Sequence, residues 1–403
     1  MTERIVVIGA GLAAATVVGT LREEGYPGAI TLVGDEPYRP YERPGLSKEV
    51  LQGGAEVDSL FVHEEGFYEA SGIETRFGDA ATAIDRPGRR VALASGDDLA
   101  YDALVLATGA RARTVDLPGA DLAGVRTLRT IADALALRAE FRPGRRVVIV
   151  GGGWIGLEAA AAASLAGCLV TVVERGRLPL LKVMGEQVAG HFAALHRAHG
   201  VDLRTEAGVE GFEGGDGHVR AVRSDGGLLP ADVVLVGVGA IPTTTLAEQA
   251  GLAVNDGVLV DDRLVTTDPA IWAAGDVVNA QHATLGRLRV EHWDNAVRQG
   301  RLAALSVLGR PDRYDWQPYF YTDQYDLSME YVGHGSPDAE VVLRGDPESG
   351  AFLTFWLEAG TVTAAMNVNT PDVNPALREL IGLELDAHRL ADPGVAVGDL
   401  ARG

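Results

Sequence analysis

The chain holds one cysteine in 403 residues, Cys168. This excludes an intramolecular disulfide, a redox-active thiol pair and a cysteine-rich metal site, and it fits a reducing compartment. Lysine is nearly as scarce: Lys48 and Lys182 stand against 33 arginines, the remainder of 35 basic residues. In a chain that otherwise uses arginine, a lysine marks a position where size or geometry matters. Positive charge is outweighed, 35 Lys and Arg against 56 Asp and Glu, for a formal net charge of −21. That sign argues against nucleic acid and anionic membrane as general partners. Long apolar runs are missing as well: Glu158 and Glu174 bracket the best candidate, short of the ~18 residues of a membrane span. His191, His196 and His199 fall on an expected helix at spacings that complete no metal site. A soluble, cytoplasmic, metal-free protein is expected.

What is present is a dinucleotide-binding signature, twice. Gly9-Ala10-Gly11-Leu12-Ala13-Ala14 and Gly151-Gly152-Gly153-Trp154-Ile155-Gly156 each follow an apolar run, Ile5 to Ile8 and Val147 to Val150, and open an Ala-rich helical stretch. Strand, glycine turn and helix are the setting in which backbone approaches a pyrophosphate and amides at the positive helix end bind it. The stretch Ile5 to Val18 has the apolarity of a signal-peptide core, but the glycines inside it favour strand and helix. Acid follows each second strand: Asp35 and Glu36 after Ile30 to Val33, and Glu174 after Leu169 to Val173. A carboxylate there accepts both ribose hydroxyls of an adenosine half. Beside Glu174 this favours NADH, since a carboxylate repels a 2′-phosphate, although Arg175 and Arg177 follow and could accommodate one.

The repeat extends further. Leu104 to Gly109 and Val233 to Gly239 are both apolar strands ending at glycine, and Ile271 to Asp276 is a third that delivers Gly275 and Asp276 together, suited to a ribityl or phosphate contact. From about Asp315 the texture changes to clustered Tyr and Phe with alternating runs, Phe352 to Leu357 and Val362 to Asn369, which read as antiparallel strands of a further domain. At 403 residues, 47% hydrophobic and 23% charged, the chain has room for two or three cores and no indication of large disordered regions.

Three stretches narrow the reading: Pro40-Tyr41-Glu42-Arg43-Pro44-Gly45-Leu46-Ser47-Lys48, Glu291-His292-Trp293 with Asn295-Ala296 and Gln299-Gly300, and Thr322-Asp323-Gln324-Tyr325-Asp326. With the glycine turns they make the chain resemble, from Arg4 to about Leu383, the FAD-dependent NADH:ferredoxin reductases of cytochrome P450 and Rieske oxygenase systems, and more distantly the apoptosis-inducing factor flavoproteins. The resemblance implies an α/β fold of glutathione reductase-like architecture: two Rossmann-like dinucleotide-binding domains plus a C-terminal α+β domain. It divides the chain into a split FAD domain (1–114 and 242–314), an inserted NAD(H) domain (115–241) and a C-terminal domain (315–403) against the flavin. Gly45 where the family usually has Pro, Ala14 at the third glycine, and Thr243-Thr244 for the frequent Pro-Asn are departures that bear on loop geometry alone.

Carried over by motif, the FAD contacts are Gly9, Gly11, Ala14, Asp35 or Glu36, Arg43, Lys48, Ala81, Arg129, Asp276 and Trp293, the last beside the isoalloxazine. Arg43 and Arg129 are suited to offset pyrophosphate charge. The NAD contacts are Gly151, Gly153, Ile155, Gly156, Glu158 and Glu174. The family puts Lys48 near the flavin N5 edge and Glu158 facing the nicotinamide. A buried ammonium needs a partner, and a catalytic Lys48–Glu158 pair is expected to position flavin and nicotinamide. Disulfide reductases of this two-nucleotide design carry redox cysteine after the first unit, whereas Tyr41 to Lys48 contains no sulfur. Electrons are therefore expected to pass from tightly, non-covalently bound FAD, reduced by NADH, singly to a [2Fe–2S] ferredoxin, docked near Arg301, Arg310 and Arg313. The alternatives are a rubredoxin, quinone or oxygen reductase, or an NADH-responsive interaction protein.

Overall fold

Ile5 to Ile8 and Val147 to Val150 are buried throughout, the uninterrupted apolar texture of strands covered on both faces of a parallel sheet. Each lies at the centre of such a sheet in the structure, a computed structural model that describes residues 3–336 and 338–402. The first sheet runs in the order Ile271–Ala273, Ala103–Leu106, Arg4–Ile8, Ala29–Gly34, Ile73–Phe77, all pairs parallel. The second runs Asp202–Arg204, Leu169–Val173, Arg146–Val150, Val233–Val236, Val125–Arg126, again parallel. In both, the chain leaves the central strand toward one edge and returns on its other side. The carboxyl end of the central strand is therefore a topological switch point, where Rossmann-type folds bind dinucleotides.

The helices that follow, Leu12–Glu23 and Trp154–Leu165, bury almost every small residue they carry. Alanine allows the close approach. In the first unit Gly300, on helix Trp293–Val307, comes so near that a Cβ there would lie 2.5 Å from the Ala13 carbonyl oxygen.

The alternating runs near the C-terminus form a five-stranded antiparallel sheet, ordered Tyr319–Gln324, Leu327–Gly333, Thr361–Val368, Ala351–Glu358, Glu340–Asp346. Period-2 alternation sorts its side chains into two cores. Phe352, Trp356, Ala364 and Met366 pack with Leu157, Met184 and Phe192 of the second unit's helices. Leu353, Phe355, Leu357 and Ala365 pack with Leu377 and Leu380. The tail after Leu385, where the sequence carries no readable signal, closes this second core with Leu390 and Leu400, both fully buried.

Two compact units result. One comprises the residues up to Arg43 with Val57–Arg111 and Ala240–Trp316; the other comprises Pro44–Glu56, Ala112–Gly239 and the residues from Gln317 onward. Among the described residues no helix is long and apolar enough to cross a membrane.

Candidate active site

In the first unit Gly9 turns at φ +106, and a Cβ there would sit 2.1 Å from the Ala107 carbonyl oxygen on the exit strand. Only glycine fits. Gly11, the extended residue that begins helix Leu12–Glu23, has nothing within 4 Å of its Cβ direction and offers no side-chain cap to the first-turn amides. Open space over uncapped N–H groups at a helix start suits a pyrophosphate. Ala14 is fully buried beneath it.

The acids after the second strand divide. Asp35 is exposed and accepts the Glu36 amide at 3.0 Å, while Glu36 accepts from the Tyr41 hydroxyl at 2.7 Å and from Arg43 at 2.8 Å. Burial works against the Arg43 charge, but Tyr41, Glu36 and Asp276 outweigh it and hold its pKa above the ordinary arginine value. Arg43 and Asp276, far apart in sequence, thus share one electrostatic neighbourhood. Asp276 follows Gly275, whose φ is +82 and whose amide donates to Gln299 at 2.9 Å. Trp293 opens its helix with a buried Nε1 that has no hydrogen-bond partner among the described residues. Such an orphaned donor calls for an acceptor, and with the Gly9–Gly11 cradle it fits FAD. Ala81, at the start of strand Ala81–Asp85, is half-buried.

The second cradle repeats the first. Gly151 has φ +104 and a Cβ direction 2.5 Å from the Gly237 carbonyl oxygen; a Cβ on Gly156 would meet the Gly151 carbonyl oxygen at 2.2 Å. Gly153 is open, and its helix is likewise without a side-chain cap. Ile155, in the first helical turn, is exposed. The two Glu174 oxygens accept from the Gly152 amide at 2.7 Å and the Gly176 amide at 2.6 Å, so its carboxylate is aimed at the glycine turn with lone pairs left for ribose hydroxyls. Arg177 is paired bidentately with Glu186, while Arg175 is exposed.

The registers are the same, Ile8 opposite Val33 and Val150 opposite Val173. Glu174 is therefore matched in the first unit by Gly34, and the first unit's acids come one and two residues later. Gly34 is needed there: a Cβ would lie 2.5 Å from the Ala10 Cβ.

Beside the second cradle, helix Trp154–Leu165 carries Glu158 into the protein interior. Lys48 Nζ donates to Glu158 Oε1 at 2.9 Å, both side chains about 5% exposed, Thr322 donates to the same oxygen at 2.6 Å, and the Ser47 hydroxyl donates to Oε2. The Lys48 ammonium also lies 5.2 Å from the centre of the Tyr321 ring. Charge, hydrogen bonds and an aromatic face offset the desolvation of both ions. Sequence reasoning named Lys48 and Glu158 but missed Ser47 and Thr322, as it missed Tyr41 and Gln299 in the first unit. All four sit inside the stretches that carry the resemblance. No spacing rule links residues 47, 158 and 322. Arg129, expected with the FAD contacts, lies in the second unit, its amide held by Asp133 at 2.9 Å before helix Ile131–Glu140.

The profile described as pyridine nucleotide-disulphide oxidoreductase matches residues 3–300, and that described as reductase C-terminal matches residues 319–401. The anthranilate 1,2-dioxygenase system ferredoxin–NAD(+) reductase component of Burkholderia cepacia is 39% identical over 399 residues, 98% of each chain. The ferredoxin reductase for the CYP199A2 system from Rhodopseudomonas palustris superposes with a TM-score of 0.95 at 34% identity, covering 99% of this chain and 100% of that one. The reductase in the covalent putidaredoxin reductase–putidaredoxin complex gives the same TM-score at 35% identity, covering 99% and 98%.

Proposed function

Because this chain belongs to the pyridine nucleotide-disulphide oxidoreductase family and carries the reductase C-terminal domain, we propose that it is an NADH-dependent ferredoxin reductase serving a cytochrome P450 or Rieske oxygenase. It takes hydride equivalents from NADH and passes single electrons to a [2Fe–2S] ferredoxin. The observation that carries this reading is the buried Lys48–Glu158 pair in a chain without a redox cysteine: Cys168 lies after helix Trp154–Leu165, its thiol turned to the Arg142 carbonyl oxygen. Bound FAD supplies the conversion between a two-electron and a one-electron donor.

The protein's own residues bind and orient. Gly9, Gly11 and Ala14 with Arg43, Asp276, Ala81 and Trp293 hold FAD, and Glu36, braced by Tyr41 and Arg43, is the better placed of the two acids to face its ribose. Gly151, Gly153, Ile155, Gly156 and Glu174 hold NADH. Lys48 and Glu158 fix the nicotinamide for hydride transfer, each desolvated and so electrostatically stronger than in water. We assign 1–114 and 242–314 to the FAD domain, 115–241 to the NAD(H) domain and 315–403 to the C-terminal domain, the outermost limits lying outside the described residues. The cytoplasm is the compartment this reading requires.

NADH-driven cytochrome c reduction, with and without an added [2Fe–2S] ferredoxin and with NADPH in parallel, tests the assignment. Strong stimulation by ferredoxin with NADH preferred is the expected result. Flavin bleached by NADH with no gain from ferredoxin, and turnover instead with rubredoxin, a quinone or oxygen, would overturn it.

A further inference from the structure

The hydrogen bonds to Glu158 do not end at Thr322. Gln324 Nε2 donates to the Thr322 hydroxyl at 3.2 Å, His196 Nε2 lies 2.8 Å from Gln324 Oε1, and the Tyr325 hydroxyl lies 3.3 Å from His196 Nδ1. His196, Gln324 and Thr322 are fully buried. Tyr325 in turn stacks on the exposed His199 at 3.6 Å. A polar thread thus runs from the surface to Glu158 through the core shared by helix Leu181–Ala198 and the C-terminal sheet.

Chemistry gives the thread one direction. An ionised Glu158 only accepts, so Thr322 must donate to it. Thr322 then accepts from the Gln324 amide nitrogen, Gln324 turns its carbonyl oxygen to His196, and His196 must donate through Nε2–H while Nδ1 accepts from Tyr325. Every donor points toward the carboxylate. Bonds aligned in this way polarise one another, and in a low-dielectric interior the effect is strengthened.

We propose that His196, as the neutral Nε2–H tautomer, is a positioning residue that sets the orientation of Glu158, and through it of Lys48, by way of Gln324 and Thr322. The inference deepens the reading above and rests on it, because the readout is hydride transfer from NADH. Loss of the far anchor frees Gln324 to rotate and lets the Thr322 hydroxyl turn away. Glu158 then keeps its ion pair but loses a fixed direction, a fault that slows the chemical step while sparing nucleotide binding, which Glu174 and the glycine turn carry.

The test is anaerobic stopped-flow reduction of the FAD-loaded full-length protein by NADH, with limiting rate and Kd read separately. His196→Phe is expected to lower the limiting rate about tenfold with Kd within about twofold. His196→Gln, whose amide nitrogen reaches the place of Nε2, is expected to restore the rate to within about threefold. The double variant His196→Phe with Gln324→Leu should be no slower than the slower single one, since both cut one thread. A wild-type limiting rate in His196→Phe, an equal loss in His196→Gln, or multiplicative losses in the double variant would each overturn the proposal. Should His196→Phe fail to hold flavin, Thr322→Val, which cuts the other end at nearly constant volume, is judged by the same split of rate and Kd. A wild-type protein that NADH does not reduce would overturn the functional reading instead.

Discussion

Glu158 and Glu174 are both carboxylates in the second unit, yet their surroundings prepare them for different work. Glu158 is closed in by Lys48, Ser47 and Thr322 and accepts from side chains; Glu174 is half-buried and accepts from the backbone amides of Gly152 and Gly176. Replacing Glu158 with Ala leaves a buried ammonium unpaired, at a cost of about 3–5 kcal/mol where one partner of such a pair is removed. The expected outcome is a lower melting temperature together with flavin reduction by NADH slowed at least about tenfold; unchanged reduction would remove Glu158 from the mechanism. Glu174→Ala has a different signature. With the carboxylate gone, the ribose loses its acceptor and a 2′-phosphate meets no repulsion, so kcat/KM for NADH is expected to fall and the NADPH to NADH ratio to rise by about tenfold or more, measured with the same ferredoxin.

Strands and helices account for why the two cradles are so alike. A glycine turn is a local requirement, because only the backbone at Gly9 and Gly151 decides whether a side chain collides with the exit strand. Both turns could therefore be read from the chain. The strand character of Phe352 to Leu357 was equally legible, since side chains that point alternately to two faces follow from strand geometry alone, and here both faces are covered. Gly300 shows the other case. In sequence it is one glycine in a motif; in the structure it is the point at which helix Trp293–Val307 meets helix Leu12–Glu23 backbone to side. Gly300→Ala puts a Cβ against a carbonyl oxygen and Thr16, and is expected to cost on the order of 2 kcal/mol and to weaken flavin retention, read from the urea midpoint and the flavin to protein ratio. An unaltered midpoint would show that the helices can part without strain.

For the protein as a whole, charge and pH carry the consequences. Arg301, Arg310 and Arg313, the docking face we propose, are each close to acids: Arg301 at 3.8 Å from Glu23 and Glu24, Arg310 at 3.3 Å from Glu24, and Arg313 with Asp262. An acidic ferredoxin has to compete with those carboxylates, so steering there is modest and screened by salt. Reversing all three charges is expected to raise the KM for ferredoxin several-fold at low ionic strength and leave flavin reduction by NADH unchanged; an unmoved KM places the dock elsewhere. Stability responds to pH through His196, whose pKa burial lowers from 6.5 to about 4. Above about 6.5 both folded and unfolded states hold a neutral imidazole. Between there and about 4 the unfolded chain takes a proton that the folded one refuses, so stability falls as pH falls, by up to about 3 kcal/mol. Urea midpoints from pH 7 to pH 4 should decline in the wild type and decline less in His196→Gln.

Two nucleotide cradles, their order, and the alternation of the C-terminal strands were settled by the chain alone, because each rests on local backbone demands or on a short period. The surroundings of Glu158 were not. Its partners Ser47 and Thr322 stand 111 and 164 residues away, and His196 meets Gln324 across 128; no local rule spans such separations. Nor could sequence tell the surroundings of Asp35 from those of Glu36, which differ because folding brought Tyr41 and Arg43 against one carboxylate and left the other in solvent. Side chains that complete a site are selected by how strands and helices pack, and packing exists only once the chain has folded.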